Sequence, residues 1–211
     1  MACPICEKRP PKRFCPAKSE KICAICCGRE REVSIDCLLS CHYLISAHRH
    51  EAEHRKPIAP EEFPYRDLKV SPDFVYQQWA AITGLANTIL AFRTRDKNLN
   101  DAAAIQAIEA LAETYRTLGT DIYYERPPDA SEPRALYARL AEFLGEFRKK
   151  QDHADVPDLK DSDVFHLLVF LLRVGKQETN SRPRSVAFIG FLSEKFPLGE
   201  TVQEPPRIVI P

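Results

Sequence analysis

After residue 70, apolar residues recur every three or four positions along most of the chain, which is the period of an amphipathic helix. The first apolar stripe consists of Val75, Trp79, Ile82, Ala86 and Ile89. It follows Ser71 and Pro72, and this pair favours a helix start because serine caps the first turn and proline suits its first position. The pattern therefore predicts a helix that begins near residue 71.

Four more segments show the same periodicity, and they predict helices over about 100–118, from 131, over about 161–176 and from 181. The 161–176 segment is apolar on most sides, so we expect it to lie centrally. These elements predict a mainly α chain in which residues 71–197 form a bundle of about five helices, here called the helical body. A helical repeat is the alternative, because several helices start about thirty residues apart. Residues 198–211 are expected to form an extended tail.

The first 56 residues have a different pattern, dominated by cysteine. All eight cysteines of the chain are Cys3, Cys6, Cys15, Cys23, Cys26, Cys27, Cys37 and Cys41. We call residues 1–56 the cysteine module and expect it to end in a helix. Residues 57–70 contain Pro57, Pro60 and Pro64 and are predicted to form a stiff, proline-rich linker.

Dense cysteines in a chain that shows no signal peptide favour metal binding over disulfides. Zinc takes four tetrahedral ligands, and two cysteines a few residues apart can supply two of them from one turn. Three such pairs are present, Cys3/Cys6, Cys23/Cys26 and Cys37/Cys41, and Cys15 and Cys27 remain. Eight thiolates match two structural zinc ions.

The adjacent Cys26 and Cys27 suggest how the ligands divide. In an extended segment, consecutive side chains point in opposite directions, so each cysteine would face a different metal. We therefore predict one site from Cys3, Cys6, Cys23 and Cys26, and an interleaved site from Cys15, Cys27, Cys37 and Cys41. His42 is an alternative ligand for the second site.

The stretches "CPIC", "RFCP" and "ICAICC", with a predicted helix after the last cysteines, resemble the interleaved double-zinc fingers of the HIT and B-box type. The resemblance covers about the first 45 residues. Fingers of this type usually act as protein-interaction modules in larger assemblies, so the resemblance implies a protein partner.

The stretch His50–Glu51–Ala52–Glu53–His54 matches the H-E-x-x-H pattern of zinc hydrolases, in which the histidines bind the metal and the first glutamate is the general base. Its surroundings are charged on every side, and Pro57 follows the second histidine closely. We expect a solvated helix end here, with a hydrolase as the alternative.

The charge of residues 1–56 differs only slightly from that of the whole chain. The chain has 30 basic and 30 acidic residues, whereas residues 1–56 contain 11 Lys and Arg against 7 Asp and Glu. Exposed basic loops around Phe14 would suit phosphates and bases, so nucleic-acid binding is an alternative function. The basic residues concerned are Lys8, Arg9, Lys12, Arg13, Lys18 and Lys21.

No glycine-rich phosphate loop, nucleophile elbow or recognisable carboxylate pair is present in the sequence. We therefore expect a non-enzymatic adaptor protein that binds another protein, with a redox-sensitive zinc switch as a lower alternative. The most apolar run is too short to cross a bilayer, so we expect a cytoplasmic protein without membrane contact.

Overall fold

A computed structural model describes residues 2–118, 125–151 and 159–197 of the chain. These residues are mainly helical, as the sequence predicted, and they also form one two-stranded antiparallel sheet. The tail expected over 198–211 lies outside the described residues. The elements in chain order are β1 (Arg13–Cys15), β2 (Glu20–Ile22), α1 (Ala24–Glu30), α2 (His42–His54), a 3-10 helix (Pro60–Glu62), α3 (Pro72–Gln77), α4 (Trp79–Arg95), α5 (Asp101–Leu118), α6 (Ser131–Gln151), α7 (Asp161–Glu178) and α8 (Ala187–Lys195).

The first helix of the body begins as predicted, because the Ser71 hydroxyl accepts the N–H of Phe74 at 3.2 Å and Pro72 follows it. The single helix predicted here is wrong, since the chain leaves helical geometry at Gln78 (φ −97°, ψ 16°) and forms α3 and α4. All five residues of the predicted stripe are nevertheless buried. The apolar period continues through the break, which is why the pattern alone predicted one helix.

The helices of the body share one hydrophobic core. Helix α7 is central, with most of its residues from Val164 to Gly175 buried, and it packs against α4, α5 and α8. Helix α4 also packs against α6 and α8, which follow it at a distance in the chain. In a helical repeat each unit contacts only its neighbours, so this shared core identifies a bundle.

One close approach between helices requires a glycine. The ring of Phe143 on α6 lies so near Gly84 on α4 that a Cβ at this position would overlap the Phe143 Cζ. Because carbon atoms in contact are about 3.5–4.0 Å apart, any larger residue at this position must displace the ring.

The segment predicted as a linker is attached to the helical body. Arg173 on α7 donates hydrogen bonds to the carbonyl oxygens of Pro64, Tyr65 and Leu68, at 3.2, 2.7 and 2.9 Å. The Tyr65 hydroxyl also bonds the carboxylate of Glu113 on α5. The division of the chain into a module, a linker and a body stays a prediction.

Helix α8 begins at Ala187, later than predicted, and buried carboxylates from two distant elements cap its start. The N–H of Val186 donates to Glu32 of the cysteine module at 2.8 Å, and those of Phe188 and Ile189 donate to Asp101 of α5 at 3.0 and 3.2 Å. These bonds satisfy N–H groups that a helix cannot satisfy itself, and the negative charges suit the positive end of its dipole.

Candidate metal centre

Two local structures bring four cysteines together. Cys3 and Cys6 lie on one tight turn, which is closed by the N–H of Glu7 donating to the Cys3 carbonyl oxygen at 2.7 Å. Cys23 is the N-cap of α1, and its sulfur accepts the N–H of Cys26 at 3.3 Å. Each predicted pair therefore occupies a turn or a helix start, as the spacing indicated.

The β1–β2 hairpin places the second pair against the first. Its strands pair Phe14 with Lys21 and Arg13 with Ile22, so the chain returns to the turn that carries Cys3. The N–H of Cys23 then donates to the Cys3 sulfur at 3.2 Å, and the sulfurs of Cys6 and Cys23 are 3.9 Å apart. Cys3, Cys23 and Cys26 are buried, whereas Cys6 is partly exposed.

The sulfur atoms of Cys3, Cys6, Cys23 and Cys26 all lie within 4.8 Å of one another. Of the residues that the structure describes, these form the only group of three or more potential metal-ligand side chains that meets this distance. Four sulfur ligands fit a tetrahedral ion, and thiolates select zinc or iron over magnesium or calcium. The cluster is therefore compatible with a zinc-binding module and could hold one metal ion.

The thiol pKa values are consistent with a cation at this cluster. Burial by itself would raise the pKa of Cys3, but N–H groups of Cys23, Ile5 and Cys6 donate to its sulfur and lower that pKa to about 6. Burial and the neighbouring sulfurs raise the pKa of Cys26 to about 12. Adjacent thiols thus resist losing all their protons together, and a divalent cation would relieve that repulsion.

The other four cysteines line one small cavity of about 20 Å³. Cys15 is buried, and Cys27, Cys37 and Cys41 are partly exposed. Burial raises the pKa of Cys37 to about 11, although a backbone hydrogen bond from Glu32 opposes this rise. His42, the predicted alternative ligand, is exposed and is absent from the lining of this cavity.

Cys26 and Cys27 face different surroundings, but the expected reason is wrong. Both residues lie within α1, where successive side chains are about 100° apart and do not point in opposite directions. That rotation directs Cys26 to the first cluster and Cys27 to the cavity. The prediction assumed an extended segment, since the two small strands and the short helix of this region have no clear periodicity.

The histidines of the HEAEH stretch stack on each other near the end of α2. The rings of His50 and His54 are 4.2 Å apart between centroids, and the His54 Nδ1–H donates to the carbonyl oxygen of His50 at 2.8 Å. Glu51 instead forms ion pairs with Arg182 at 3.1 Å and Arg31 at 3.5 Å. The structure therefore brings the two histidines together and places the glutamate between the cysteine module and the helical body.

Sequence reasoning missed the buried joint around Glu32, which is fully buried and lies in a turn at φ 56°. Its carboxylate accepts hydrogen bonds from the His48 Nε2 at 2.9 Å and the Asn180 side chain at 2.7 Å, in addition to Val186. Burial would raise the pKa of Glu32, but these donors, led by His48, hold it below its ordinary value. No local pattern signals this residue, because its partners are distant in the chain.

The predicted basic residues are exposed, with the exception of Arg13. Arg13 is half-buried, and its guanidinium lies 4.6 Å from the Tyr43 ring centroid.

A groove of about 660 Å³ separates α2 from α8, and its lining mixes apolar and charged side chains such as Ile45, Phe191 and Arg49. Its walls come from opposite ends of the chain, so sequence patterns did not indicate it.

None of the described helices is long and apolar enough to cross a membrane. No protein-family model matches the chain. Searches among curated proteins and solved structures likewise found no similar protein.

Proposed function

We propose that this protein is a non-enzymatic adaptor whose cysteine module is held by two structural zinc ions and binds a partner protein. One ion is bound by Cys3, Cys6, Cys23 and Cys26, and the other by Cys15, Cys27, Cys37 and Cys41. The observation that carries the proposal is the first cluster, in which four sulfurs lie within 4.8 Å of one another. Four thiolates fill a tetrahedral zinc ion, whereas catalytic zinc keeps one position for water or substrate.

Exposed apolar side chains support the binding role. Among the described residues, four of the five exposed large apolar side chains belong to the cysteine module, namely Phe14, Ile25, Val33 and Ile45. Phe14 is 55% exposed on a two-stranded hairpin whose preceding and following turns carry cysteines of the first cluster. Apolar groups fixed on a metal-stabilised frame lose little conformational freedom when a partner covers them.

The resemblance to interleaved zinc fingers points in the same direction, since such fingers usually bind proteins. The cytoplasm is the compartment we propose, because it keeps thiolates reduced and available to zinc. We further propose that the HEAEH stretch is not catalytic. The ion pairs of Glu51 with Arg182 and Arg31 support this proposal, because they occupy the carboxylate that a hydrolase would need as its base.

The first test is the zinc content per chain of wild type and of a His50→Ala/His54→Ala double variant. Equal contents in the two proteins are expected, because the structural sites contain no histidine. Loss of one metal ion in the double variant would overturn the structural proposal and favour the hydrolase. Zinc-free protein with its thiols oxidised would instead favour the redox switch.

Partner binding is tested by quantitative affinity capture, followed by reconstitution with the purified partner. A Phe14→Ser/Ile25→Ser variant should lose the partner, whereas Tyr76→Ser, which removes an aromatic ring that is 64% exposed on the helical body, should retain it. Both variants should retain the wild-type zinc content. If no protein distinguishes the two variants, the module surface is not the binding site.

Nucleic-acid binding is the second candidate, and one specific observation favours it. Phe14 and Lys21 are a cross-strand pair, and both are exposed on the hairpin. An aromatic ring beside a cation can stack on a base while the cation meets a phosphate. Anisotropy of a labelled single-stranded oligonucleotide should then show an affinity that falls steeply with salt and is lost in Phe14→Ala/Lys21→Ala.

A further inference from the structure

We propose that the second zinc ion cross-links two parts of the molecule. It would join the hairpin and α1 to α2, and α2 packs on the helical body. This inference rests on the second zinc of the proposed function. It assigns to Cys15, Cys27, Cys37 and Cys41 a role that differs from that of the first cluster, which holds together only residues 3–26.

The chemistry of the cavity suits a thiophilic dication. Besides the four cysteines, its lining consists of apolar and aromatic residues, and Arg31 is the only charged side chain among them. No carboxylate contributes to the lining. Since sulfur ligands select zinc and oxygen ligands select magnesium or calcium, the donor set identifies the class of ion.

The four ligands come from two differently supported segments. Cys15 ends β1 and Cys27 lies in α1, and both belong to the small buried cluster around Ile22. Cys41 is the N-cap of α2 and packs against the core of the helical body, to which Leu44 of α2 also belongs. Cys37 contacts both clusters. An ion bound by all four would therefore cross-link the two cores.

The positions of the sulfur atoms indicate that zinc binding changes the geometry of the second site. Among the described residues, only the sulfurs of the first cluster meet within 4.8 Å in a group of three or more. Zinc holds its sulfurs at about 2.3 Å, so the second ion must bring the sulfurs of its four ligands closer together.

A second set of contacts keeps the two parts together when the ion is absent. Arg184 pairs with Asp36, and Arg31, which follows α1, pairs with Glu51 of α2 at 3.5 Å. Glu32 is held by Val186 and Asn180. Removal of the second zinc should therefore weaken the packing between the hairpin with α1 and the rest of the molecule without separating the two parts. The effect should be local and measurable.

The adjacent cysteines provide a matched pair of variants, Cys26→Ser and Cys27→Ser. Purified under reducing conditions, wild type should contain two zinc ions per chain, and each variant should retain one. Hydrogen exchange then distinguishes the two sites. Cys27→Ser should accelerate exchange in α2 and at Val186–Ile189 by about tenfold or more, while α5 and α7 remain unchanged. Cys26→Ser should accelerate exchange mainly in residues 3–9.

The outcomes separate this inference from the proposed function. One zinc in wild type, unchanged in Cys27→Ser and lost in Cys26→Ser, would overturn the second site and leave the first intact. If wild type contains two zinc ions but hydrogen exchange in α2 is unchanged in Cys27→Ser, the cross-linking role is wrong. No zinc in wild type would contradict both proposals. A Cys15–Cys27 or Cys37–Cys41 disulfide in protein purified under reducing conditions would overturn the second site alone. If Cys27→Ser fails to fold, stepwise removal of zinc from wild type by a chelator, followed by the same exchange measurement, gives the answer.

Discussion

The cysteine module and the helical body bury different kinds of groups. The buried cluster of the module contains Cys3, Cys15, Ile22, Cys23, Cys26 and Ile35, so four of its six residues are cysteines. The core of the body is far larger, consists of apolar residues and contains no fully buried cysteine. Short segments cannot bury enough apolar surface to fold alone, whereas a bundle of this size can. The cysteine module and the helical body should therefore respond to different perturbations.

The largest expected difference follows removal of metal. Structural zinc sites contribute about 10–16 kcal/mol of binding free energy to folding, which equals or exceeds the net stability of most domains. Chelation under reducing conditions should therefore unfold residues 3–41 and leave α4, α5 and α7 folded. Hydrogen exchange resolved by segment measures both regions in one sample. Simultaneous loss of protection in both regions would mean that the body also depends on metal.

The reverse perturbation is Phe170→Ala in α7, a side chain that is 1% exposed in the core of the body. Removing a buried phenylalanine should lower the free energy of unfolding of the body by about 3–5 kcal/mol. The single tryptophan, Trp79, is buried beside Phe196 and reports on the body alone in a urea titration. The zinc content should stay at the wild-type value, and a decrease would show that the two regions fold as one unit. Tyr76→Ala is the exposed control, with a change within about 0.5 kcal/mol.

The joint between the regions is probed by Glu32→Gln, which should cost about 1–3 kcal/mol at neutral pH because buried donors lose a charged acceptor. The pKa of Glu32 is lower in the folded protein than its ordinary 4.5. Its contribution is therefore complete above that pH and is lost as the pH falls through the folded pKa. Urea titrations from neutral to acidic pH should show the wild type and the variant converging.

A matched control for Glu32→Gln is Glu194→Gln, because Glu194 is exposed and pairs with the neighbouring Lys195 on the surface. Its effect should be below about 0.5 kcal/mol at every pH. If Glu32→Gln behaves like this control, the buried carboxylate does not hold the module on the body.

A last comparison involves two glycines of the helical body. Gly84→Ala places a Cβ against the Phe143 ring and should destabilise the body by about 1–3 kcal/mol. At Gly145 on α6, nothing lies within 4 Å of the position that a Cβ would occupy, so Gly145→Ala should stabilise the helix by up to about 1 kcal/mol. Opposite signs in thermal unfolding confirm the close approach, and equal signs would refute it.

Local spacing was sufficient to predict much of this molecule. The pairs Cys3/Cys6 and Cys23/Cys26 each lie on one turn or helix start, and the stripe from Val75 to Ile89 is buried as its period indicated. Both features depend on residues a few positions apart. The clustering of the first four cysteines was predicted correctly from these two pairs, although the reason given for separating Cys26 from Cys27 was wrong.

Long-range contacts account for what the sequence did not reveal. The late start of α8, for example, depends on Asn180 and Arg182 binding Glu32 and Glu51 of the module. Glu32 and Asp101 resemble ordinary acidic residues until the fold brings them to the same helix start. Periodicity contains no information about such pairs, because it reports on only one element at a time.

The two carboxylates at the start of α8 have a consequence for the order of folding during synthesis. A nine-residue helix is too short to be stable alone, and the N–H groups at its start donate to Glu32 and Asp101, which are synthesised much earlier. Helix α8 can therefore settle only after Glu32 and Asp101 have both reached their folded positions. A defect at either carboxylate therefore leaves the same short helix without one of its two caps.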